Sequence, residues 1–143
     1  MKVIFICFAN VARSQIAEAC FKTLSRHHCS SAGIAVNDSI SRRNLPSRKL
    51  KDAPTQRPIK YIEREFGADI GEKERQQLVP EMIGTADIVI VIAEKERWPD
   101  YLKEGGKVVF WDLPDPFGQA DDLAEELYKQ VRERVEQLVA EIG

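Results

Sequence analysis

Residues 1–24 read MKVIFICFANVARSQIAEACFKTL, and this stretch decides the fold. Its first part, Val3 to Ile6, is a short apolar run without alternation, which is typical of a strand buried on both faces in a parallel sheet. From about Arg13 the apolar residues recur every four positions, as on one face of a helix: Ile16, Cys20 and Leu24. The stretch therefore predicts a strand, a short loop and a helix, in that order.

Strand-like and helix-like segments alternate along the rest of the chain. The predicted strands are CSSAG at 29–33, ADIVIVI at 86–92 and VVFW at 108–111. The predicted helices lie at 59–66, at 80–84 and, with a long apolar stripe, at 123–142. Gly67 ends the first of these helices and Pro80 begins the second. Such alternation predicts a parallel α/β sheet with right-handed crossovers, in one domain over residues 1–143.

The composition is typical of a folded, water-soluble domain. Of 143 residues, 43% are hydrophobic and 31% are charged, with a net charge of −2. This balance excludes wholesale disorder and gives no whole-molecule attraction to nucleic acid or to an anionic membrane. The chain also lacks a run of the ~20 apolar residues that span a bilayer. Three cysteines, an odd number in a chain too long to need disulfides, favour free thiols in a reducing compartment, so we expect a cytoplasmic protein.

The segment from Asp38 to Lys60 differs from the rest of the chain in charge. It carries seven basic residues against two acidic ones, a local charge of +5, with three prolines and little periodicity. Two interpretations remain open at this point. The segment is either a solvated or mobile surface loop, or a basic flap that attracts an anionic substrate.

The loop between the first strand and the first helix reads CFANVARS at residues 7–14. Such a turn can point successive backbone N–H groups inward and cradle a tetrahedral oxyanion. Arg13 adds a planar fork for two oxygens, and the positive field favours a Cys7 thiolate that attacks phosphorus in line. Asn10 suits positive φ, and Ser14 can donate a hydrogen bond to the thiolate. The predicted phosphate-binding residues are Phe8, Ala9, Asn10, Val11, Ala12, Arg13 and Ser14. The alternative is that Cys7 is a buried structural thiol.

Attack by a thiolate also requires a general acid for the leaving group. Asp115 is the best candidate, because it lies between two prolines just after the fourth predicted strand, where parallel sheets place their sites. The alternative is an ordinary turn aspartate, with Asp112 as the reserve acid. Cys20 and Cys29 are expected to be structural, and His27 and His28 to lie on the surface. No metal-ligand spacing is present, so we predict no metal site.

These blocks together resemble the low-molecular-weight protein tyrosine phosphatase family, which also includes the thioredoxin-coupled arsenate reductases. The resemblance covers nearly the whole chain: VIFICFANVARSQIAEA, then SSAG, TADIVIVI, and LPDPFG before a terminal helix. It implies a three-layer α/β sandwich, with a four-stranded parallel sheet in order 2-1-3-4, helices on both faces and no cofactor. It also implies that Cys7 is the nucleophile, Arg13 the phosphate clamp and Asp115 the general acid. Asn10 and Ser14 would support the loop and the thiolate.

Four departures from the family pattern bear on the substrate. Ala9 stands where the family usually has glycine, and Ala12 where many members have a second, protective cysteine. Phe117 and Gly118 replace a common pair of tyrosines, so Phe117 supplies one aromatic wall without a hydroxyl. Asn37 stands at an aromatic position of the family. These changes weaken recognition of phosphotyrosine but leave phosphate-ester chemistry intact.

The leading prediction is a phosphomonoester hydrolase, most consistent with the tyrosine phosphatase type, that acts on a phosphorylated protein or a small aryl phosphate. The sequence leaves the oligomeric state open and favours a monomer. Val11 favours aryl phosphate, since relatives directed at phosphoarginine resemble each other in having threonine there. An alternative is arsenate reduction with an external small thiol: the Ser14-Gln15 pair resembles the reductase branch, but no cysteine follows Cys29. The third hypothesis is a non-catalytic phosphate-binding module.

Overall fold

Four strands and five α-helices succeed one another in a computed structural model that describes all 143 residues. The strands are β1 (Lys2–Cys7), β2 (His28–Gly33), β3 (Ile88–Val91) and β4 (Val108–Phe110). The helices are α1 (Arg13–Leu24), α2 (Val36–Arg42), α3 (Arg57–Phe66), α4 (Pro80–Thr85) and α5 (Asp121–Ile142). All strand pairs are parallel and their order is β2-β1-β3-β4, which confirms the predicted α/β fold.

The sheet separates two apolar cores because alternate side chains of its central strand point to opposite faces. Val3 and Phe5 of β1 pack with residues of α1, α3 and α5 on one face. Ile4 and Ile6 pack on the other face with a smaller group that includes Met82 and Ile83 of α4. Both faces of β1 are therefore buried, as its unbroken apolar run predicts. None of the helices is both long enough and apolar enough to cross a membrane.

Local signals explain where the predicted helices begin and end. Pro58 and Pro80 lie in the first turns of α3 and α4, where a missing N–H costs nothing. Gly67 ends α3 with a φ of 71°, a left-handed conformation that glycine adopts without strain. Asp121 and Asp122 lie in the first turn of α5, where the helix dipole favours negative charge.

The predicted loop over residues 38–60 is wrong in part. The segment contains most of α2, a short 3-10 helix at Leu50–Asp52 and the beginning of α3. α2 was missed because only one of its seven residues, Val36, is buried, so it carries no apolar stripe. Much of the charge is also paired within the fold: Asp38 pairs with Arg42, and Glu72 with both Lys49 and Lys51.

The carboxyl ends of β1 and β2 meet where the loop that follows Cys7 begins. Cys7 is the register partner of Gly33, the last residue of β2. A Cβ added to Gly33 would lie 2.8 Å from the Asn10 nitrogen and 2.9 Å from the Ala9 carbonyl carbon. The loop therefore packs backbone to backbone against β2, and glycine is required there for this close approach.

Candidate active site

The loop that joins β1 to α1 folds back over Cys7, whose side chain is almost fully buried, with 3% of the residue exposed. Asn10 has a φ of 57°, which matches the left-handed conformation expected from its sequence position. The backbone N–H of Asn10 lies 3.2 Å from Cys7 Sγ and points to it. Ala9 has no positive φ, so the missing glycine leaves no backbone strain at that position.

Ser14 hydrogen-bonds Cys7, and the protonation of the sulfur decides which atom donates. The Ser14 Oγ lies 2.9 Å from Cys7 Sγ and accepts a hydrogen bond from Asn10 Nδ2 at 2.8 Å. A Cys7 thiolate has no proton to give, so in that form the Ser14 hydroxyl donates its single proton to the sulfur. The geometry thus places two hydrogen-bond donors at a Cys7 thiolate, the Asn10 backbone amide and the Ser14 hydroxyl.

A buried polar network holds Asn10 from behind. Its Nδ2 also donates to Ser31 Oγ at 3.0 Å, and Ser31 donates to Glu18 Oε1 at 2.5 Å. Lys73 donates to Glu18 Oε1 at 2.7 Å and to Gln15 Oε1 at 2.8 Å. Burial by itself would raise the pKa of Glu18, but Lys73, Lys22 and the Ser31 hydroxyl hold that pKa below its ordinary value. Glu18 is therefore an ionised anchor for the loop.

Arg13 is buried beneath the cavity with part of its guanidinium unused. Its Nη1 donates to the Ile92 carbonyl at 2.8 Å, to Glu94 Oε1 at 3.0 Å and to the Leu113 carbonyl at 3.1 Å. These acceptors orient the plane and leave Nε and Nη2 to form a fork for two oxyanion oxygens. Burial would raise the pKa of Glu94, but its backbone N–H, Arg13 and Arg97 lower that pKa, so a carboxylate faces Arg13.

The two candidate acids differ in their position relative to the nucleophile. Asp115 lines the same cavity as Cys7 and Arg13, whereas Asp112 does not. The Asp115 Oδ2 lies 3.8 Å from Arg13 Nη2, and its Oδ1 accepts the Phe117 N–H at 3.0 Å. About half of the Asp115 side chain, 51%, is exposed, so it has access to water. The structure thus brings Asp115, and not the reserve candidate, to the loop.

Arg57 ties the loop that carries Asp115 to the rest of the fold, and sequence reasoning had placed it only within the basic segment. Its guanidinium donates to the carbonyls of Pro116 and Gln119, each at 2.8 Å. It also contacts Asp121 Oδ1 at 3.0 Å and Tyr128 Oη at 3.3 Å on α5. The N-terminal turn of α3 therefore holds the acid loop (residues 111–120) on the C-terminal side of Asp115, through one side chain.

The cavity above Cys7 has a volume of about 670 Å³ and combines aromatic walls with charge. Phe8 and Phe117 both line it, and each carries an arginine over its ring: Arg97 at 4.4 Å and Arg43 at 5.5 Å from the centroid. Val11 also lines the cavity, but Asn37 does not. Arg42, Arg43 and Arg57 come from the basic segment, so part of that segment faces the candidate site.

The other cysteines and the histidines lie in different surroundings. Burial raises the pKa of Cys20 to about 11 and that of Cys29 to about 12, so both stay protonated at neutral pH. Neither lines the cavity. His27 is half-buried and contacts the Gly143 carbonyl, and His28 is exposed at the beginning of β2. No group of three or more His, Cys, Asp or Glu side chains is arranged to hold a metal ion.

Sequence reasoning missed several residues of the site for one common reason. They contact backbone atoms or side chains far away in sequence, and no local motif marks them: Glu18, Ser31, Arg57, Lys73, Arg75 and Glu94. Only Glu94 gives a signal, because it closely follows β3, at the sheet edge where Cys7 lies. An acidic residue at that edge was available as a partner for Arg13.

Comparison with known proteins gives a consistent family. A family model described as low molecular weight phosphotyrosine protein phosphatase matches residues 2–143. A glutaredoxin arsenate reductase from Synechocystis sp. is 32% identical over 146 aligned positions, covering 99% of this chain and 98% of that protein. A protein-arginine-phosphatase from Bacillus subtilis is 27% identical, covering 100% and 95%. A solved low molecular weight protein tyrosine phosphatase from T. tengcongensis shares the fold, with a TM-score of 0.76 at 22% identity and 99% coverage of both chains.

Proposed function

Since the chain belongs to the low molecular weight phosphotyrosine protein phosphatase family, we propose that it hydrolyses phosphomonoesters through a phosphocysteine intermediate. The observation that carries this proposal is the convergence of Cys7, Arg13 and Asp115 on one cavity. Binding of phosphate alone needs neither a nucleophile nor an acid, so this combination argues against a purely binding module.

In the first step the Cys7 thiolate attacks the phosphorus from below. The loop N–H groups and the free Nε and Nη2 of Arg13 bind the equatorial oxygens, whose charge they balance. The S–P bond forms as the bond between phosphorus and the leaving oxygen breaks, and Asp115 gives its proton to that oxygen. This step uses Asp115 in its protonated form.

In the second step water hydrolyses the phosphocysteine. The Asp115 carboxylate takes a proton from water as its oxygen attacks phosphorus, and the S–P bond breaks to release phosphate. The leaving group is now the Cys7 thiolate, which the Ser14 hydroxyl and the Asn10 N–H stabilise. Both groups already lie at the sulfur, so they can stabilise the thiolate without a rearrangement of the loop.

An aryl phosphate is the substrate class that fits the cavity walls best. Phe8 and Phe117 offer flat apolar surfaces on which a phenyl ring can stack. The branched apolar side chain of Val11 also lines the cavity and offers no polar group to a phosphoguanidinium. We therefore propose a phosphotyrosyl protein or small aryl phosphate rather than phosphoarginine, despite the similarity to the arginine phosphatase.

Arsenate reduction with an external small thiol is the second candidate. It is favoured by the 32% identity to a glutaredoxin arsenate reductase over nearly the full length of both proteins. Arsenate has the geometry of phosphate, so the loop would hold it for attack by Cys7 in the same way. A thiol supplied from solution would have to act next, because Cys20 and Cys29 do not line the cavity.

The deciding experiment compares p-nitrophenyl phosphate hydrolysis between pH 5 and 7 in wild type and Cys7→Ser. We expect turnover in the wild type that vanishes in the variant. Parallel assays use phosphoarginine as substrate, and arsenate with reduced glutathione and glutaredoxin. A folded wild type with a reduced Cys7 that leaves the ester intact but reduces arsenate would overturn the phosphatase proposal in favour of the reductase.

A further inference from the structure

Arg75 lies in the segment between α3 and α4, behind residues 7–14, which we call the phosphate loop. It is one of the most deeply buried side chains, with 1% of the residue exposed. No carboxylate lies within salt-bridge distance of it, and its Nη1 is buried without a hydrogen-bond partner. A buried guanidinium without a counter-charge or a full set of acceptors is costly. Because Arg75 lies beside the cavity that contains Cys7, its charge can contribute to the site.

One peptide group of the phosphate loop connects Arg75 to the nucleophile. Arg75 Nε and Nη2 donate to the Ala9 carbonyl oxygen at 3.1 and 3.0 Å. The N–H of the same peptide, that of Asn10, lies 3.2 Å from Cys7 Sγ. A cation on the oxygen of a peptide polarises its N–H, and hydrogen bonds in such a chain strengthen one another.

We propose that Arg75 is a positioning residue for the nucleophile, which locks the Ala9–Asn10 peptide with its N–H toward Cys7 and stabilises the thiolate through that peptide. The proposal rests on the proposed function only in taking Cys7 as the nucleophile. It applies equally to attack on a phosphoester and on arsenate. It also gives the buried charge of Arg75 a partner, the thiolate at the far end of the peptide.

The backbone around Arg75 is anchored on both sides, so the guanidinium cannot retreat from the loop. The Arg75 N–H donates to the Arg48 carbonyl at 2.8 Å, and the next N–H, of Gln76, donates to Asn10 Oδ1 at 2.9 Å. The Gln76 carbonyl accepts the Gly33 N–H at 2.8 Å. The segment is thus tied to the loop and to β2, and this favours a defined orientation of the Ala9–Asn10 peptide.

The charges near Arg75 act on it in opposite directions. Burial lowers the pKa of Arg75, Arg48 and Arg43 lower it further, and the negative charge of Cys7 works against them. Arginine nevertheless stays protonated in proteins, so Arg75 is a fixed charge at every pH of interest. The other charged groups that face the cavity are Arg13, Asp38, Arg42, Arg57, Glu94, Glu96, Arg97 and Asp115.

The test measures how fast iodoacetamide alkylates Cys7, identified by peptide mass spectrometry, at pH 6.5 and at pH 9.5. The ratio of the two rates reports the thiolate fraction and cancels changes in access to the sulfur. We expect Arg75→Met to lower this ratio, by up to about tenfold for a shift of ~1 pH unit in the titration. Arg75→Lys keeps the charge and one donor, so its ratio should stay within about twofold of wild type.

Two further variants make the result specific. Arg75→Gln keeps a neutral donor and should give a ratio between those of Lys and Met, which serves if the Met variant does not fold. Arg26→Gln removes one exposed charge near the opposite ends of the strands and should leave the ratio unchanged. A folded Met or Gln variant with the wild-type ratio would overturn the proposal, as would a Lys variant as impaired as Met.

The experiment is independent of the proposed function because alkylation requires no substrate. A wild type that fails to hydrolyse phosphate esters can still show the expected order of ratios, and the role of Arg75 then stands without phosphatase activity. Conversely, if the protein is an active phosphatase but the alkylation ratio is the same in wild type and the Arg75 variants, only the role of Arg75 is refuted. Cys7→Ser confirms that the labelled peptide carries the residue under study.

Discussion

The phosphate loop (residues 7–14) and the acid loop (residues 111–120) both contribute to one cavity but are held in very different ways. The phosphate loop is buried and fixed from several directions, by Gly33 beneath it and by hydrogen bonds to Asn10 and Ala9. The acid loop around Asp115 is largely exposed, and Arg57 supplies the principal contacts that tie it to α3 and α5. We infer that the phosphate loop is rigid and already in its binding conformation before substrate arrives. The exposed side chain of Asp115 can instead adjust its position to different leaving groups.

The largest effect is expected from the acid itself. Asp115→Asn should lower turnover of substrates with poor leaving groups, such as phenyl phosphate, by roughly 10²–10⁴, the usual contribution of a general acid. Esters of acidic phenols, which leave without a proton, should lose much less. The measurement is kcat across a series of aryl phosphates. Asp112→Asn serves as the matched control, and a larger loss in that variant would show that the acid has been assigned to the wrong residue.

The next effect probes the rigid side of the cavity. Gly33→Ala places a Cβ against the backbone of the phosphate loop at 2.8–2.9 Å, a distance at which the loop must move. We expect phosphate affinity, measured by competitive inhibition, to fall at least tenfold, and stability to fall by about 1–3 kcal/mol. Thermal unfolding with and without phosphate checks both quantities.

Gly84→Ala is the control for this substitution. A Cβ at Gly84 meets nothing within 4 Å, and the residue lies in α4, so alanine should be neutral or stabilise the fold by about 0.4–1 kcal/mol. If the Gly33 and Gly84 variants bind phosphate equally well, the phosphate loop does not depend on close backbone packing against β2.

The positions of both loops could be predicted from the sequence, but the contacts that hold them could not. The four strands, the Cys7 loop and the position of Asp115 carry local signals: apolar runs, a strand-to-helix motif and flanking prolines. The contacts of Arg57 and Arg75 do not, because their shortest hydrogen bonds are to backbone carbonyls, which any residue would supply. α2 was missed for a related reason, since a short helix with one buried residue has no period to detect. The catalytic roles of Cys7, Arg13 and Asp115 stay predictions until they are measured.

A smaller effect is expected from the residue that holds the acid loop. Arg57→Met removes the donors to the Pro116 and Gln119 carbonyls, so the loop should sample positions in which Asp115 cannot reach the leaving oxygen. We expect kcat on poor leaving groups to fall about tenfold, while good leaving groups change little. Arg64→Met, on an exposed face of the same helix, provides the control. An equal loss on good and poor leaving groups would indicate damage to the phosphate loop instead of a displaced acid.

The smallest effect concerns basic residues of the segment from Asp38 to Lys60, of which Arg42 and Arg43 line the cavity. Neutralising Arg42, Arg43, Arg48 and Lys49 together should raise KM for acidic phosphopeptides about threefold to tenfold at low salt and leave kcat unchanged. The effect is modest because Arg42 is paired with Asp38 and Lys49 with Glu72, so part of their field is already cancelled. Added salt should erase the difference between wild type and variant, because exposed charges are screened within about 10 Å at 0.1 M. If KM at low salt is the same in both proteins, the basic segment has no part in attracting substrate, and Arg43 serves chiefly to cover Phe117.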